Sequence, residues 1–241
     1  MLYLQGGVQG QSMSTSINTG QDTIALGTGR SRGILRRYRR NRAYAFAKRS
    51  LDIFVVLVSA PVTIPIIAFL SLLIRCDGGP TLYRQDRLGK NGRVFTFWKL
   101  RTMVPDSERA LAEYLSKNPE AAHEWHETQK LRRDPRVTRL GEFMRKHSLD
   151  ELPQLWNILI GDMSLVGPRP MLPDQEVLYP GEAYFLMRPG LTGLWQVSAR
   201  NDGTFASRAA YDNQYAEIKS LRTDLTIIVM TVGVVVRGTG I

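Results

Sequence analysis

The apolar and polar positions divide the chain into four zones. Residues 1–29 alternate Gly, Ser, Thr and Gln with no sustained periodicity, which predicts a disordered tail. A basic stretch, Arg30 to Arg49, follows. Next comes an uncharged run of 22 residues, Ile53 to Ile74. As a straight helix it would reach roughly 33 Å, enough to cross a bilayer core. From residue 75 to 224 the pattern is mixed and globular, and a second apolar run, Leu225–Val236, closes the chain.

Within the mixed zone the pattern predicts short elements. Thr81–Arg84 and Arg93–Lys99 read as two strands joined through Gly89-Lys90-Asn91-Gly92. Ser107–Lys117, Glu120–Arg132 and Val137–Lys146 read as helices. Ser148 can cap a helix from Leu149, with Pro153 in its first turns. Ala206–Lys219 carries Tyr211, Tyr215 and Ile218 at helical spacing. Leu225–Val236 is too short to span as a helix; it lies in the interface, packs on the core or forms a strand.

The 22-residue run starts too late and is too long for a cleavable signal peptide. Pro61 and Pro65 interrupt its middle, and Ser59 and Thr63 can satisfy carbonyls that the prolines free. Basic residues flank it on both sides, continuing as Arg75, Arg84, Arg87, Lys90, Arg93, Lys99 and Arg101. A spanning helix usually has one basic flank. The expectation is a re-entrant helix-hairpin that enters and leaves on the same face. A kinked single span and a buried core helix are the alternatives.

Charge alters the picture once it is localised. The net charge is +10, but residues 1–49 hold nine basic residues and one acid, Asp22, so that leader carries +8. The remaining chain carries +2. The excess is a short leader suited to anionic lipid, and a nucleic-acid-binding face on the globular part is not expected. The single cysteine, Cys76, excludes an intrachain disulfide and a cysteine-cluster zinc site. With only His123, His126 and His147, a histidine zinc site is also not expected.

Four stretches could carry chemistry. In Arg145-Lys146-His147-Ser148-Leu149-Asp150-Glu151, two carboxylates follow a basic cluster at a helix start, where free N–H groups favour an anion. Such a carboxylate can serve as nucleophile or metal ligand; the plainer reading is routine acid placement in a first turn. In Gly167-Pro168-Arg169-Pro170, flanking prolines hold Arg169 extended and suited to a phosphate, or make an ordinary turn. Phe97-Trp98-Lys99-Leu100-Arg101-Thr102-Met103 puts two cations on one strand face, or makes a surface edge. Arg188-Pro189-Gly190-Leu191-Thr192-Gly193 continues to Arg200, with glycines that allow close backbone approach to a ligand or make a common loop.

Together, Lys-Leu-Arg-Thr-Met, Ser-Leu-Asp-Glu-Leu-Pro-Gln, Gly-Asp-Met-Ser-Leu-Val-Gly-Pro-Arg-Pro and Arg-Pro-Gly-Leu-Thr-Gly occur in one order between about Arg49 and Val236. In this the chain resembles the bacterial sugar transferases, the monotopic polyprenyl-phosphate hexose-1-phosphate transferases. The Leu194–Asn201 stretch looks most like the exopolysaccharide-initiating, galactose- or glucose-phosphate branch. Two positions depart from the family pattern: Ala60 precedes Pro61 where serine is common, and Ala199 stands where glycine is common.

The resemblance implies an α+β, mostly helical fold. Residues 1–49 would be tail and juxtamembrane segment, 50–75 a re-entrant membrane helix, and 76–241 a small cytosolic catalytic domain containing a β-hairpin. It implies an enzyme at the cytoplasmic face of the inner membrane. The enzyme would move hexose-1-phosphate from a UDP-hexose to undecaprenyl phosphate, with Asp150 as nucleophile and Glu151 helping to hold a Mg²⁺ ion or manage protons. Asp150 and Glu151 would be the metal ligands. Lys99, Arg101, Arg145, Gln154, Pro168, Arg169, Pro170, Thr192, Gly193 and Arg200 would bind substrate. A homodimer is compatible with it. The rival classes are a membrane-tethered nucleic-acid binder and a non-catalytic scaffold for polysaccharide assembly.

Overall fold

The computed structural model describes residues 42–76, 78–128, 131, 134–198 and 205–238. The tail, most of the basic leader and Arg200 lie outside the described residues. Among the described residues helices dominate, with two small two-stranded sheets, as in an α+β fold.

Helix α1, Arg42–Cys76, runs unbroken through Pro61 and Pro65. The helix-hairpin expected from the prolines is not what the structure describes: the segment is one helix, beginning eight residues before residue 50. The hydroxyls beside the prolines do bond backward along it. Ser59 donates to the Val56 carbonyl and Thr63 to the Ser59 carbonyl, each at 3.1 Å.

Both ends of α1 dock on the same globular body. Near the start, Asp52 is buried and accepts from the Ser164 hydroxyl at 3.1 Å and the Leu165 N–H at 3.0 Å. Arg49 donates to the Leu159 carbonyl at 2.8 Å, and Val56 enters the main apolar core with Phe95, Phe97, Ile158 and Met163. Near the end, Leu70 and Ile74 join Leu100 and Met144 in a separate cluster. Between these docking points Leu57, Val58, Val62, Ile64 and Phe69 are exposed. Exposed large apolar side chains in that number need a lipid or protein cover.

The hairpin is longer than predicted. Strand β1, Leu82–Leu88, pairs antiparallel with β2, Val94–Leu100, with Tyr83 opposite Lys99 and Arg87 opposite Phe95. Alternation therefore puts Gln85, Arg87, Phe97 and Lys99 on one face. The turn uses positive φ at Asn91 and Gly92, residue types that tolerate it.

Helix α2, Ser107–Lys117, has the predicted bounds; α3, Pro119–Thr128, ends sooner than predicted. Helix α4, Arg139–Lys146, is capped by Thr138, whose hydroxyl accepts from the Gly141 N–H at 2.9 Å. The expected cap at Ser148 is absent. Ser148 has φ 54 and no capping bond, and Leu149–Glu151 form a single 3₁₀ turn ahead of α5, Gln154–Ile160. Pro153 explains the delay: it lacks an N–H and fits best just ahead of the new helix.

Strand β3, Ser164–Val166, lies parallel to β4, Gly190–Thr192. One-turn helix α6, Ala183–Leu186, precedes β4, and α7, Leu194–Ser198, follows it. Helix α8, Arg208–Ile218, is close to the predicted element. The final apolar run is not a strand: it lies in helix α9, Leu221–Arg237, and packs one face on the core. Asp224 and Ile227 face the core, while Leu225, Val229 and Val232 are exposed.

Candidate active site

The 3₁₀ turn sets Asp150 and Glu151 against the end of β2. Lys99 Nζ stands 2.9 Å from Glu151 Oε1 and 3.3 Å from Asp150 Oδ2, so one ammonium bridges both carboxylates. Asp150 is only 5% exposed. Burial pushes its pKa up, against the lowering pull of Lys99; the Glu151 charge adds to the rise and Arg145 opposes it. A buried carboxylate with a raised pKa, a cation and a second carboxylate beside it matches the pattern of reacting groups in enzyme sites.

Arg145 comes from the last turn of α4. Its Nε donates to the Thr102 hydroxyl at 2.9 Å. Burial lowers its pKa, and the Asp150 and Asp134 charges counter that. Glycine at position 141 makes this approach possible, because a Cβ there would collide with the Thr102 carbonyl. Arg169 enters from the other side, with its terminal nitrogen 3.6 Å from Glu151. Pro168 and Pro170 position the neighbouring backbone. The Pro168 carbonyl accepts from the Gly190 N–H at 2.8 Å, and the Pro170 carbonyl from Arg87 at 3.3 Å.

The other predicted residues divide. Gln154 opens α5 directly after the carboxylate turn; it is buried and its side-chain nitrogen has no protein partner. Thr192 is turned toward α9, sharing a 2.6 Å hydroxyl–hydroxyl bond with Thr231. Gly193 packs against the Gly167 carbonyl, where a Cβ would clash. Arg101 lies just past β2 and points to the anchor: it donates to the Ile74 carbonyl at 3.0 Å.

Sequence reasoning missed two arginines. Arg87 shares the hairpin face with Lys99, and the two cations flank the Phe97 ring at 5.3 and 5.7 Å. Arg208, at the start of α8, lies over Trp195 at 4.4 Å and over Phe205 at 4.7 Å. The Nε atoms of both are buried with no protein partner, and so is the Trp195 indole nitrogen. Burial chiefly, and then the Arg169 charge, lowers the pKa of both arginines, Arg208 to about 10. Three guanidiniums thus lie within reach of one another's charge, with Glu151 acting on Arg87 and Asp212 on Arg208. Burial raises the Asp212 pKa to about 6, against the hydrogen bond from Tyr179. Clustered, partly buried cations with unused donors favour a multiply charged anion. The alternation of Arg87 with Lys99 across the hairpin was the available signal for Arg87. Nothing local marks Arg208.

For a metal, no group of three or more His, Cys, Asp or Glu side chains occurs among the described residues. Asp150 and Glu151 form a two-carboxylate donor set. That is what Mg²⁺ commonly takes from a protein when substrate phosphates supply the other oxygens.

The structure sets an exposed apolar helix, fixed at both ends on one body, beside a carboxylate pair and an arginine cluster. The chain belongs to the bacterial sugar transferase family, whose pattern it matches over residues 43–238. It is 44% identical over 197 residues to a UDP-galactose-lipid carrier transferase of Erwinia amylovora, covering 81% of this chain and 41% of that one. It is 44% identical to exopolysaccharide production protein ExoY of Sinorhizobium fredii, covering 80% of this chain and 87% of that one. It is 43% identical over 201 residues to an undecaprenyl-phosphate galactose phosphotransferase of Salmonella typhimurium, covering 83% and 42%. The chain therefore spans about two fifths of the Erwinia and Salmonella proteins and most of ExoY.

Proposed function

We propose that this protein transfers hexose-1-phosphate from a UDP-hexose, galactose or glucose, to undecaprenyl phosphate at the cytoplasmic face of the inner membrane, releasing UMP. This would be the first membrane step of exopolysaccharide synthesis. The observation that carries the reading is the buried Asp150 beside Glu151, bridged by Lys99, with Arg169, Arg87 and Arg208 gathered next to it. The names of the relatives support the two substrates.

The chemistry follows from charge. A carboxylate oxygen of Asp150 attacks the sugar-bearing phosphorus. The bond from that phosphorus to the UMP oxygen breaks, and UMP leaves with the electron pair. An oxygen of the lipid phosphate then attacks the same phosphorus. The acyl phosphate bond breaks, Asp150 is regenerated, and a lipid diphospho-hexose is formed. Both steps bring anion to anion, so cations fixed in advance supply most of the stabilisation. Lys99 and Arg145 lie beside the nucleophile, and the three arginines suit the departing nucleotide. Asp150 and Glu151 would hold Mg²⁺ together with substrate phosphate oxygens, adding electrostatic stabilisation there.

The anchor reading is re-entrant, as one continuous helix bent at Pro61 and Pro65 rather than as a hairpin of two helices. Its support is that Asp52 and Val56 at one end, and Leu70 and Ile74 at the other, pack on one body. A helix crossing to the far side would carry one of these ends away from that body.

Withholding lipid tests the intermediate. Incubated with UDP-galactose or UDP-glucose alone, the enzyme should release UMP once and carry a phospho-hexose on the peptide containing Asp150. An adduct on Glu151, or no adduct with sequential kinetics, overturns the assignment. Failure of every UDP-sugar to label lipid would favour an assembly scaffold.

A further inference from the structure

Helix α7 carries two side chains into the interior that find nothing to bond. Trp195 is 7% exposed and Gln196 8%, yet the indole Nε1 and both amide atoms of Gln196 are buried with no protein partner. Among the described residues, the other buried side-chain polar atoms in that state are nitrogen donors, on Arg87, Arg101, Gln154 and Arg208. Gln196 Oε1 is the one acceptor. Turning the amide over exchanges its two ends and still leaves one donor and one acceptor. A buried acceptor left empty is costly, so it points to a group that arrives with a ligand.

That group is not a phosphate. Ionised phosphate oxygens only accept, which satisfies the arginine donors and leaves Gln196 Oε1 empty. The ligand must bring an N–H or an O–H. This step rests on the proposed donor, a UDP-hexose, in which those groups are the hydroxyls of the two sugars and the N3–H of uracil.

Position selects among them. Helix α7 meets the arginine cluster at two points. Arg208 lies over the Trp195 ring at 4.4 Å. A Cβ on Gly193 would meet both the Gly167 carbonyl and Gln196 Oε1, so the amide lies against the loop that leads to Arg169. Arg169 in turn stands 3.6 Å from Glu151. Glu151 acts on Arg87, whereas the charges acting on Arg208 include Arg169, Asp212 and Arg87. Outward from the carboxylates, the order is therefore Arg169, Arg208 and then α7. In-line displacement at the sugar-bearing phosphorus sets the leaving UMP opposite the attacking carboxylate, while the hexose stays on the phosphorus under attack. Helix α7 is thus on the nucleoside side. The uracil edge runs acceptor, donor, acceptor, and the unpaired atoms of α7 are one acceptor and two donors, the complementary set.

We propose that Gln196 reads the uracil of the sugar nucleotide. Its amide oxygen accepts from N3–H, its amide nitrogen donates to one neighbouring carbonyl, and Trp195 Nε1 donates to the other.

Nucleotide binding to the full chain in maltoside micelles tests it, by calorimetry with UMP, N3-methyl-UMP and 2′-deoxy-UMP. Wild type should bind UMP about ten- to a hundredfold more tightly than N3-methyl-UMP, the loss expected when a buried acceptor is left unpaired. Gln196→Met is close in volume and has no hydrogen-bonding amide; it should shrink that ratio to about threefold or less by weakening UMP. Gln196→Ala should do the same, and thermal melts show that the variants fold. Equal binding of UMP and N3-methyl-UMP by wild type, or a ratio that both variants retain, overturns the inference and leaves the transfer reaction standing. A preference for UMP over 2′-deoxy-UMP that both variants abolish gives the amide to the ribose and overturns it too. Failure of wild type to bind any uridine nucleotide removes the UDP-hexose donor itself, and this inference with it.

Discussion

The Arg101 guanidinium donates to the carbonyl of Ile74 at 3.0 Å, closing the end of the anchor helix against the strand that carries Lys99. Carbonyls in the last turn of a helix have no partner along the helix itself, and a cation there also meets the negative end of the dipole. The carboxylate turn paired with Lys99 and the end of the apolar helix are thereby joined through two residues of one strand–loop junction.

That junction makes a topological prediction. In a Cys76→Ser background, Ala43→Cys and Arg84→Cys should be labelled by an impermeant thiol reagent from the same side of the membrane. Both positions flank the apolar run, and both of its ends pack on one body. Labelling from opposite sides would establish a span.

Asp150→Asn should abolish transfer and yet stabilise the fold at neutral pH. Burial raises the Asp150 pKa above its ordinary 3.8, so its ionised form burdens the native state. For a carboxyl shifted upward, the favourable contribution of folding is fully present below the unfolded value and is lost as pH rises through the folded one. The variant should therefore melt at a higher temperature than wild type at pH 7, with the gap closing toward pH 4. Transfer by wild type should fall as acid protonates the nucleophile. A lower melting temperature at pH 7 would mean that the Lys99 pair outweighs burial.

Arg208→Lys should raise the KM for UDP-hexose by about ten- to a hundredfold, the loss expected for a charge-assisted contact of about 1.5–3 kcal/mol. Lysine keeps the charge but not the planar group that lies between Trp195 and Phe205. Arg169→Lys should behave alike, because a point charge does not replace a bidentate fork. Steady-state kinetics with unchanged KM in both would remove the cluster from nucleotide binding.

Two glycine substitutions should part company. Gly141→Ala forces a Cβ onto the Thr102 backbone, so α4 must shift and Arg145 lose its hydroxyl partner. A stability loss of about 1–3 kcal/mol is expected, with reduced transfer. Gly233→Ala on α9 meets nothing within 4 Å. It should be neutral or stabilising by up to about 1 kcal/mol through helix propensity. Thermal melts of the two variants check the contrast.

What the sequence determined by itself was local. An uncharged run of 22 residues, strands parted by Gly and Asn, a helix from Ser107 to Lys117, and a carboxylate pair beside a basic cluster are written in neighbouring residues, because periodicity and turn chemistry act over a few positions. Tertiary structure decided what those pieces do together. It docked both ends of the anchor on one body and set Arg101 against the Ile74 carbonyl. It made the final apolar run a helix held by Asp224, and brought Arg87, Arg169 and Arg208 together from a strand, a proline-flanked loop and a helix. No short-range pattern encodes these meetings. The energy that fixes them, burial of apolar faces and pairing of buried charges, exists only after distant segments pack.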